Sequence, residues 1–335
     1  MTETDAGQGA LAGLDTRLVR DWLGCDRLEV IGRPSGSGWS GCTVFVEADG
    51  RALVLRLAPA ERGMFAESDL GVQVGCQRHA REHGLPVPEI VAADLTGQLI
   101  GRPGYAMARV SGQVPSDDDP PFTKAGFLYQ ASRDEQRRYH LDLIDRIADL
   151  HRLPVPAGLA LGPATVDHLS WCADQRAELP PSDQLDRAHR LLAATVVPER
   201  AGPALLWGDA RPANTVVGPD FRVVAMLDWE LAATGAPELD VSWLLEMNRM
   251  RAGRDPALPG FLPEDQVWQR WSSRTGRVPT GRAWFRLFAA YRVALLMDLH
   301  LADQVRVGAL PADHRVRTDN RARRRLAKLL ADTGG

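Results

Sequence analysis

Leu205-Leu-Trp-Gly-Asp-Ala-Arg-Pro-Ala-Asn-Thr-Val-Val217 is followed by Gly218-Pro219-Asp220 and then by Val223-Val-Ala-Met-Leu-Asp-Trp-Glu230. Two short apolar, β-branched runs flank a turn signal, which is the pattern of a hairpin. Asp209 stands just before the pair of strands, Asn214 at its start and Asp228 at its end. Pairing of the strands is expected to bring Asn214 and Asp228 together. A carboxylate and an amide oxygen suit octahedral Mg2+, which takes few protein ligands and shares its other positions with phosphates and water. Asp209, five residues before Asn214 on the loop leading in, is placed where a carboxylate could meet a substrate hydroxyl. Turn and strand-end caps would explain Asp209 and Asp228 singly, but not three such residues at this spacing.

Upstream the pattern is β. Thr43–Val46 and Ala52–Leu57 flank Asp49-Gly50, a strong hairpin signal. A short amphipathic helix behind Asp15 precedes them, and a helix over 66–83 should stop at Gly84, because Pro86 and Pro88 cannot continue it. Gly104 to Val110 reads as a further strand. Beyond the acidic, proline-rich stretch Val114–Pro121 the periodicity turns helical: Leu141, Ile144, Ile147 and His151 share a face, and Leu287–Leu299 is apolar nearly all round. At roughly 150 residues per domain, 335 residues suggest two domains or one large bilobal one. The division expected is a β-rich lobe over 1–110 and a larger, mainly helical lobe over 111–335. Gly36-Ser-Gly-Trp-Ser-Gly41 spells G-x-G-x-x-G but runs into the β-branched stretch Cys42–Glu47, not into a helix. On the residues alone it is either a flap over nucleotide phosphates or a plain glycine-rich hairpin loop.

Composition narrows the classes. Lys+Arg 40 against Asp+Glu 43 gives a net charge of -3, so no global basic field recruits nucleic acid or membrane. No apolar run approaches the ~18 residues of a membrane span, and the N-terminus lacks a signal-peptide core. The four cysteines lie far apart with no C-x-x-C. The expectation is a cytoplasmic protein whose partner is a small molecule, with homodimer formation left open. The basic residues include only two lysines, Lys124 and Lys328, and neither follows a glycine, so the phosphate loop GxxxxGK[ST] is absent.

Asp209-Ala-Arg-Pro-Ala-Asn214 resembles the catalytic loop of the protein-kinase-like superfamily. The longer run Trp-Gly-Asp-x-Arg-x-x-Asn with a later Leu-Asp-Trp-Glu is similar to the aminoglycoside phosphotransferase family, including its branches linked to acyl-CoA dehydrogenases. The resemblance implies an α+β, bilobal protein-kinase-like fold and transfer of the γ-phosphate of ATP, with Mg2+, to a hydroxyl of a small molecule. It implies Asp209 as the catalytic carboxylate, Arg211 as a cation near the moving phosphoryl group, and Asn214 and Asp228 as Mg2+ ligands. Gly36, Ser37, Gly38 and Ser40 would cover the phosphates, Arg56 would hold the α- and β-phosphates, and the backbone from Ala108 to Val110 would meet the adenine. Asp240 would brace the loop. Three departures stand out: Trp207 replaces a histidine, Arg56 replaces a lysine, and Gln73, with Glu67 nearby, stands where a glutamate would partner that cation. They motivate a second expectation, a catalytically weak pseudokinase that acts as a nucleotide-binding regulatory module.

Other signals have two readings each. His79-Ala-Arg-Glu-His83 spells H-x-x-E-H, a zinc hydrolase signature or simply a solvated last helical turn. Arg315–Lys328 reads as the polar face of a final helix that buries Leu326, Leu329 and Leu330. An acidic pocket for a polycation could draw on Asp117, Asp118, Asp119, Glu238 and Glu246. Trp243, Met247, Trp268 and Trp271 could instead line an apolar pocket for a hydroxyacyl or other lipid-like alcohol, or belong to the core.

Overall fold

The computed structural model describes residues 14–34, 42–58, 69–159, 161, 165–195 and 202–332. The described chain divides into two compact units: residues up to Gly112 together with Val224–Glu230, and Gln113–Val223 together with Leu231 onward.

In the first unit, α1 (Thr16–Leu23) starts where the Asp15 carboxylate accepts the Arg17 N–H at 2.8 Å, and ends at Gly24 in the left-handed region. Strands β1 (Leu28–Gly32), β2 (Cys42–Ala48), β3 (Arg51–Leu57), β4 (Ile90–Asp94) and β5 (Gly104–Ala108) form an antiparallel sheet in the order β1-β2-β3-β5-β4. Asp49 and Gly50 have φ of 48° and 79°, the two left-handed residues that a tight β2–β3 hairpin demands. Strand alternation then sorts the side chains. Val44, Val46, Leu53, Leu55, Leu57 and Ala106 form one core with Val19 of α1, while Val54, Tyr105 and Met107 pack with Val74 of helix α2 (Leu70–Glu82). Arg56 shares the parity of Val54 and lies opposite Tyr105 in the ladder, so the same alternation sets it on the Val54 face.

Val224–Glu230 joins this unit through backbone bonding, the Met226 N–H donating to the Pro86 carbonyl at 2.7 Å. The division at 110/111 read from the sequence does not anticipate that, because nothing in the local pattern of 224–230 points to a partner some 140 residues earlier.

The second unit is mainly helical: α3 (Gly126–Gln130), α4 (Arg133–Leu150), α5 (Thr165–Ala177), α6 (Asp183–Ala193), α7 (Glu238–Ala252), α8 (Glu264–Thr275), α9 (Arg282–Arg306) and α10 (Arg321–Asp332). Among them run β6 (Ala204–Leu206), β7 (Thr215–Val217), the start of β8 (Val223–Met226), and β9 (Ala233–Gly235), with β6 and β9 paired antiparallel. A full capping box, Ser132 with Glu135, starts α4, which buries Leu143, Ile144, Ile147 and Leu150 and packs on α8. The Leu287–Leu299 stretch is the middle of α9, packed against α6, α7 and α10. Among the described residues no helix is long and apolar enough to cross a membrane.

Leu55 is fully buried at the centre of the sheet. Leu55→Ala is expected to cost about 3 kcal/mol in a urea-unfolding experiment, since the rigid strands around it cannot collapse into the cavity.

Candidate active site

Strand β6 leads into Trp207-Gly208-Asp209, and the shape of this loop is set by glycine. Gly208 has φ of +84°, and a Cβ built there would lie 1.8 Å from the Leu231 carbonyl oxygen. No other residue fits. The loop is tied to α7 through Asp240, which accepts the N–H of Trp207 at 2.7 Å and that of Gly208 at 2.9 Å. His151, capping α4, lies with Nε2 3.1 Å from Asp240, and its Nδ1 accepts the indole N–H of Trp271 at 2.9 Å. Because an indole nitrogen only donates, Nδ1 must be the acceptor and Nε2 must carry the hydrogen given to Asp240. A buried chain Trp271–His151–Asp240 therefore holds two successive amides of the loop. Arg292 of α9 adds a third tie by donating to the Gly208 carbonyl at 3.2 Å while lying 4.7 Å from the Trp243 ring centroid. Trp207 itself is wholly buried. Its ring is core, and support of the loop passes through its backbone amide.

Asp209 is 6% exposed, and donors hold both of its carboxylate oxygens. Oδ1 accepts the indole N–H of Trp243 at 2.7 Å; Oδ2 accepts Arg211 Nε and Asn214 Nδ2, each at 2.8 Å. Asn214 closes the 3-10 turn Pro212–Asn214 and also donates to the Asp209 carbonyl, at 3.0 Å. With its amino group spent on Asp209, its Oδ1 is directed away from the carboxylate. Burial pushes the Asp209 carboxyl up, but the charge of Arg211 and the bonds from Trp243, Arg211 and Asn214 outweigh it, so the group titrates below the ordinary carboxylate range. Arg211 also pairs with Asp117, which receives Arg251 at 3.1 Å as well.

The first unit carries the other charged cluster. Arg56 gives Nη1 to Thr43 Oγ1 at 3.2 Å, and its Nη2 lies 3.3 Å from Asp228 and 3.6 Å from Glu230. Burial alone would lower the guanidinium's pKa, but Asp228, Tyr105 and Glu230 more than reverse this, so Arg56 is held firmly charged. Gln73 does not supply a charge; its Oε1 accepts the Tyr105 hydroxyl at 3.2 Å. Asp228 sits in the left-handed region at φ 56°. Ala108 ends β5 with its N–H given to the Glu89 carbonyl at 2.8 Å, and Val110 lies two residues beyond the strand. Gly36, Ser37, Gly38, Ser40 and Glu67 lie outside the described residues.

The structure thus brings Asp209, Arg211 and Asn214 together in one unit and Arg56 and Asp228 in the other. Sequence reading missed the bond from Trp243, the buried cation Arg292 and the place of Glu230. Asp240 and Trp243 share a face of α7 at i, i+3, so a brace by the first foretold proximity of the second. Arg292 was visible only as a charge within an apolar helical run.

The other signals resolve plainly. His79 and His83 have ring centroids 4.4 Å apart, with His83 Nδ1 donating to the His79 carbonyl at 2.9 Å. Among the described residues no group of three or more His, Cys, Asp or Glu side chains could hold a metal ion. Trp243, Met247, Trp268 and Trp271 are all buried. Of the acidic candidates, Asp117 is paired with arginines, Glu246 with Arg325 at 2.6 Å, and Glu238 accepts the Thr280 N–H at 3.0 Å. The last helix is no unopposed basic stripe, since Arg323, Arg324 and Arg325 pair with Asp298, Asp319 and Glu246.

Residues 31–274 match the model of the phosphotransferase enzyme family. The chain belongs to that family. Acyl-CoA dehydrogenase family member 11 from Gallus gallus is 27% identical over 222 residues, which is 63% of this chain and 27% of that protein. The chain spans about a quarter of the length of the curated relatives it matches. Among solved structures, a candidate aminoglycoside phosphotransferase from Ralstonia eutropha JMP134 superposes with a TM-score of 0.75 at 23% identity, over 95% of this chain and 98% of that one. The GDP complex of aminoglycoside 2'-phosphotransferase-IIIa gives 0.63 at 15% identity, over 95% and 98%. The fold is the α+β, protein-kinase-like one.

Two outcomes follow from the loop. Gly208→Ala is expected to lower the unfolding free energy by about 3 kcal/mol or more, read from denaturant melts, because both φ and the Leu231 carbonyl oppose a side chain. In Arg211→Gln the Asp209 carboxyl should titrate higher than in the parent, read by carboxyl carbon NMR. In the parent its stabilising effect is present above the ordinary carboxylate pKa and is lost as pH falls through the depressed native value.

Proposed function

We propose that the chain transfers the γ-phosphate of ATP, with Mg2+, to a hydroxyl of a small molecule. One observation carries this reading: Asp209 is a buried, ionised carboxylate oriented by three donors in the loop Trp-Gly-Asp-x-Arg-x-x-Asn of a phosphotransferase family.

The residues fit the groups that the reaction needs. Asn214 Oδ1 and the Asp228 carboxylate are hard oxygen donors, the type Mg2+ prefers, and we assign the ion to them. Arg56 is a guanidinium whose fork can grip phosphate oxygens, as a lysine would in its place. Ala108 has its N–H committed, so we assign adenine contact to its carbonyl and to the backbone of Val110. When bound, Mg2+ supplies neutralisation of phosphate charge.

Asp209 acts by orientation. A carboxylate with a depressed pKa is a weak base, so it accepts the acceptor's O–H as a hydrogen bond and takes the proton late, once the oxygen has grown acidic. That is the demand of a loose phosphoryl-transfer transition state, in which alignment and charge neutralisation outweigh base strength. Arg211 is bonded to Asp209 itself, so its position next to the carboxylate is fixed in advance.

A regulatory module without catalysis would be favoured if Trp207 or Gln73 had cost the site its supports. The loop amides keep Asp240, and Arg56 keeps two carboxylates, so the departures do not favour it. For the acceptor, the engagement of Asp117, Glu238 and Glu246 argues against a pocket built for polycations. GDP in the aminoglycoside 2'-phosphotransferase complex makes GTP the alternative donor to compare.

The test is nucleoside diphosphate release with ATP or GTP over a panel of hydroxylated acceptors. For the acceptor that turns over, Asp209→Asn should lower kcat about 10²- to 10⁴-fold while ADP affinity by calorimetry changes little. Unchanged turnover in that variant would sink the mechanism.

A further inference from the structure

We propose that Glu230 is the positioning residue that keeps Arg56 compensated when Asp228 is engaged by a metal ion. The proposal rests on the assignment of Asp228 to Mg2+ made above.

Arg56 is 13% exposed, and a guanidinium so far withdrawn from water requires a counter-charge. Its surroundings divide cleanly into neutral and charged groups. From β2 it meets the Thr43 hydroxyl at 3.2 Å, and from β5 the Tyr105 hydroxyl, which is also bonded to Gln73 and Gln77 of α2. These elements offer dipoles. Among the described residues the negative charge comes from a single segment, Asp228 at 3.3 Å and Glu230 at 3.6 Å.

The two carboxylates are not equivalent. Asp228 is 22% exposed and Glu230 8%. The more open one can be drawn to an ion from solution, while the more enclosed one stays with the guanidinium. A cation that takes Asp228 draws on the negative charge that Arg56 also uses, so metal and arginine compete for that carboxylate. Glu230 relieves the competition. Gln73 brings no charge, and among the described residues the carboxylates beside Arg56 are Asp228 and, two positions further on, Glu230.

A specific linkage follows. With Glu230 neutralised, engagement of Asp228 by Mg2+ leaves the buried cation with the nucleotide phosphates as its remaining counter-charge, so the penalty falls on metal dependence. ADP binding to the full chain is measured by calorimetry at a series of Mg2+ concentrations. Glu230→Gln should raise the Mg2+ concentration at half-maximal ADP affinity roughly tenfold, with excess Mg2+ restoring most of the binding. Thr43→Val, which removes a neutral bond to the same guanidinium, should leave that midpoint within about twofold. An unshifted midpoint in Glu230→Gln, or an equal shift in Thr43→Val, overturns the proposal. If Glu230→Gln fails to fold by circular dichroism, Glu230→Asp takes its place: the charge retracted by one methylene should shift the midpoint in the same direction, and no shift overturns the proposal. Failure of the parent chain to bind ADP at any Mg2+ concentration would strike the functional reading instead, and is separately legible.

Discussion

The carboxylate of Asp240 is the point on which the second unit's site depends. It accepts two successive backbone amides, from Trp207 and Gly208, and a third hydrogen bond from His151. Amides at the exit of a short strand would otherwise be orphaned inside the protein, at a cost of about 1–3 kcal/mol for each buried unsatisfied donor. Satisfying them from a helix that also carries Trp243 means that one rigid element sets both the path of the loop and the orientation of the Asp209 carboxylate. The brace has its own support in Trp271, whose indole fixes the tautomer of His151.

The first unit meets a different constraint, a cation buried on the face of a sheet. The strand period puts Arg56 on that face, and Thr43, Tyr105, Asp228 and Glu230 surround it. In both units, then, a group that water would normally stabilise has been withdrawn, and fixed partners replace the solvent. The partners differ in kind: neutral donors and one arginine around Asp209, two carboxylates around Arg56. Each ionised side chain is held in its charged form despite burial.

Features with local causes could be read in advance. The Asp49-Gly50 hairpin follows from two residues that tolerate left-handed φ, α4 from an apolar period behind Ser132, and α9 from an apolar run longer than a strand. The loop from Trp207 to Asn214 was legible because its residues act on one another within seven positions. What could not be read was set by pairing at a distance. β4 is five residues long and follows two prolines, and its identity as a strand comes from β5. β9 is three residues that mean nothing without β6. Asp117 read as one of the acids that could draw a polycation, whereas it is engaged by Arg211 and Arg251, which lie far from it in sequence. Trp243 and Trp271, which suggested a pocket, turned out to be buried donors, and composition does not say which acceptor an indole in a core will find.

Having a guanidinium at position 56 also bears on how the protein can be detected chemically. Acylating reagents modify a neutral primary amine, and a guanidinium, protonated throughout, offers no such nucleophile. With Lys124 and Lys328 the only lysines in the chain, an amine-directed reagent has two side chains to act on, and neither belongs to the Arg56 cluster.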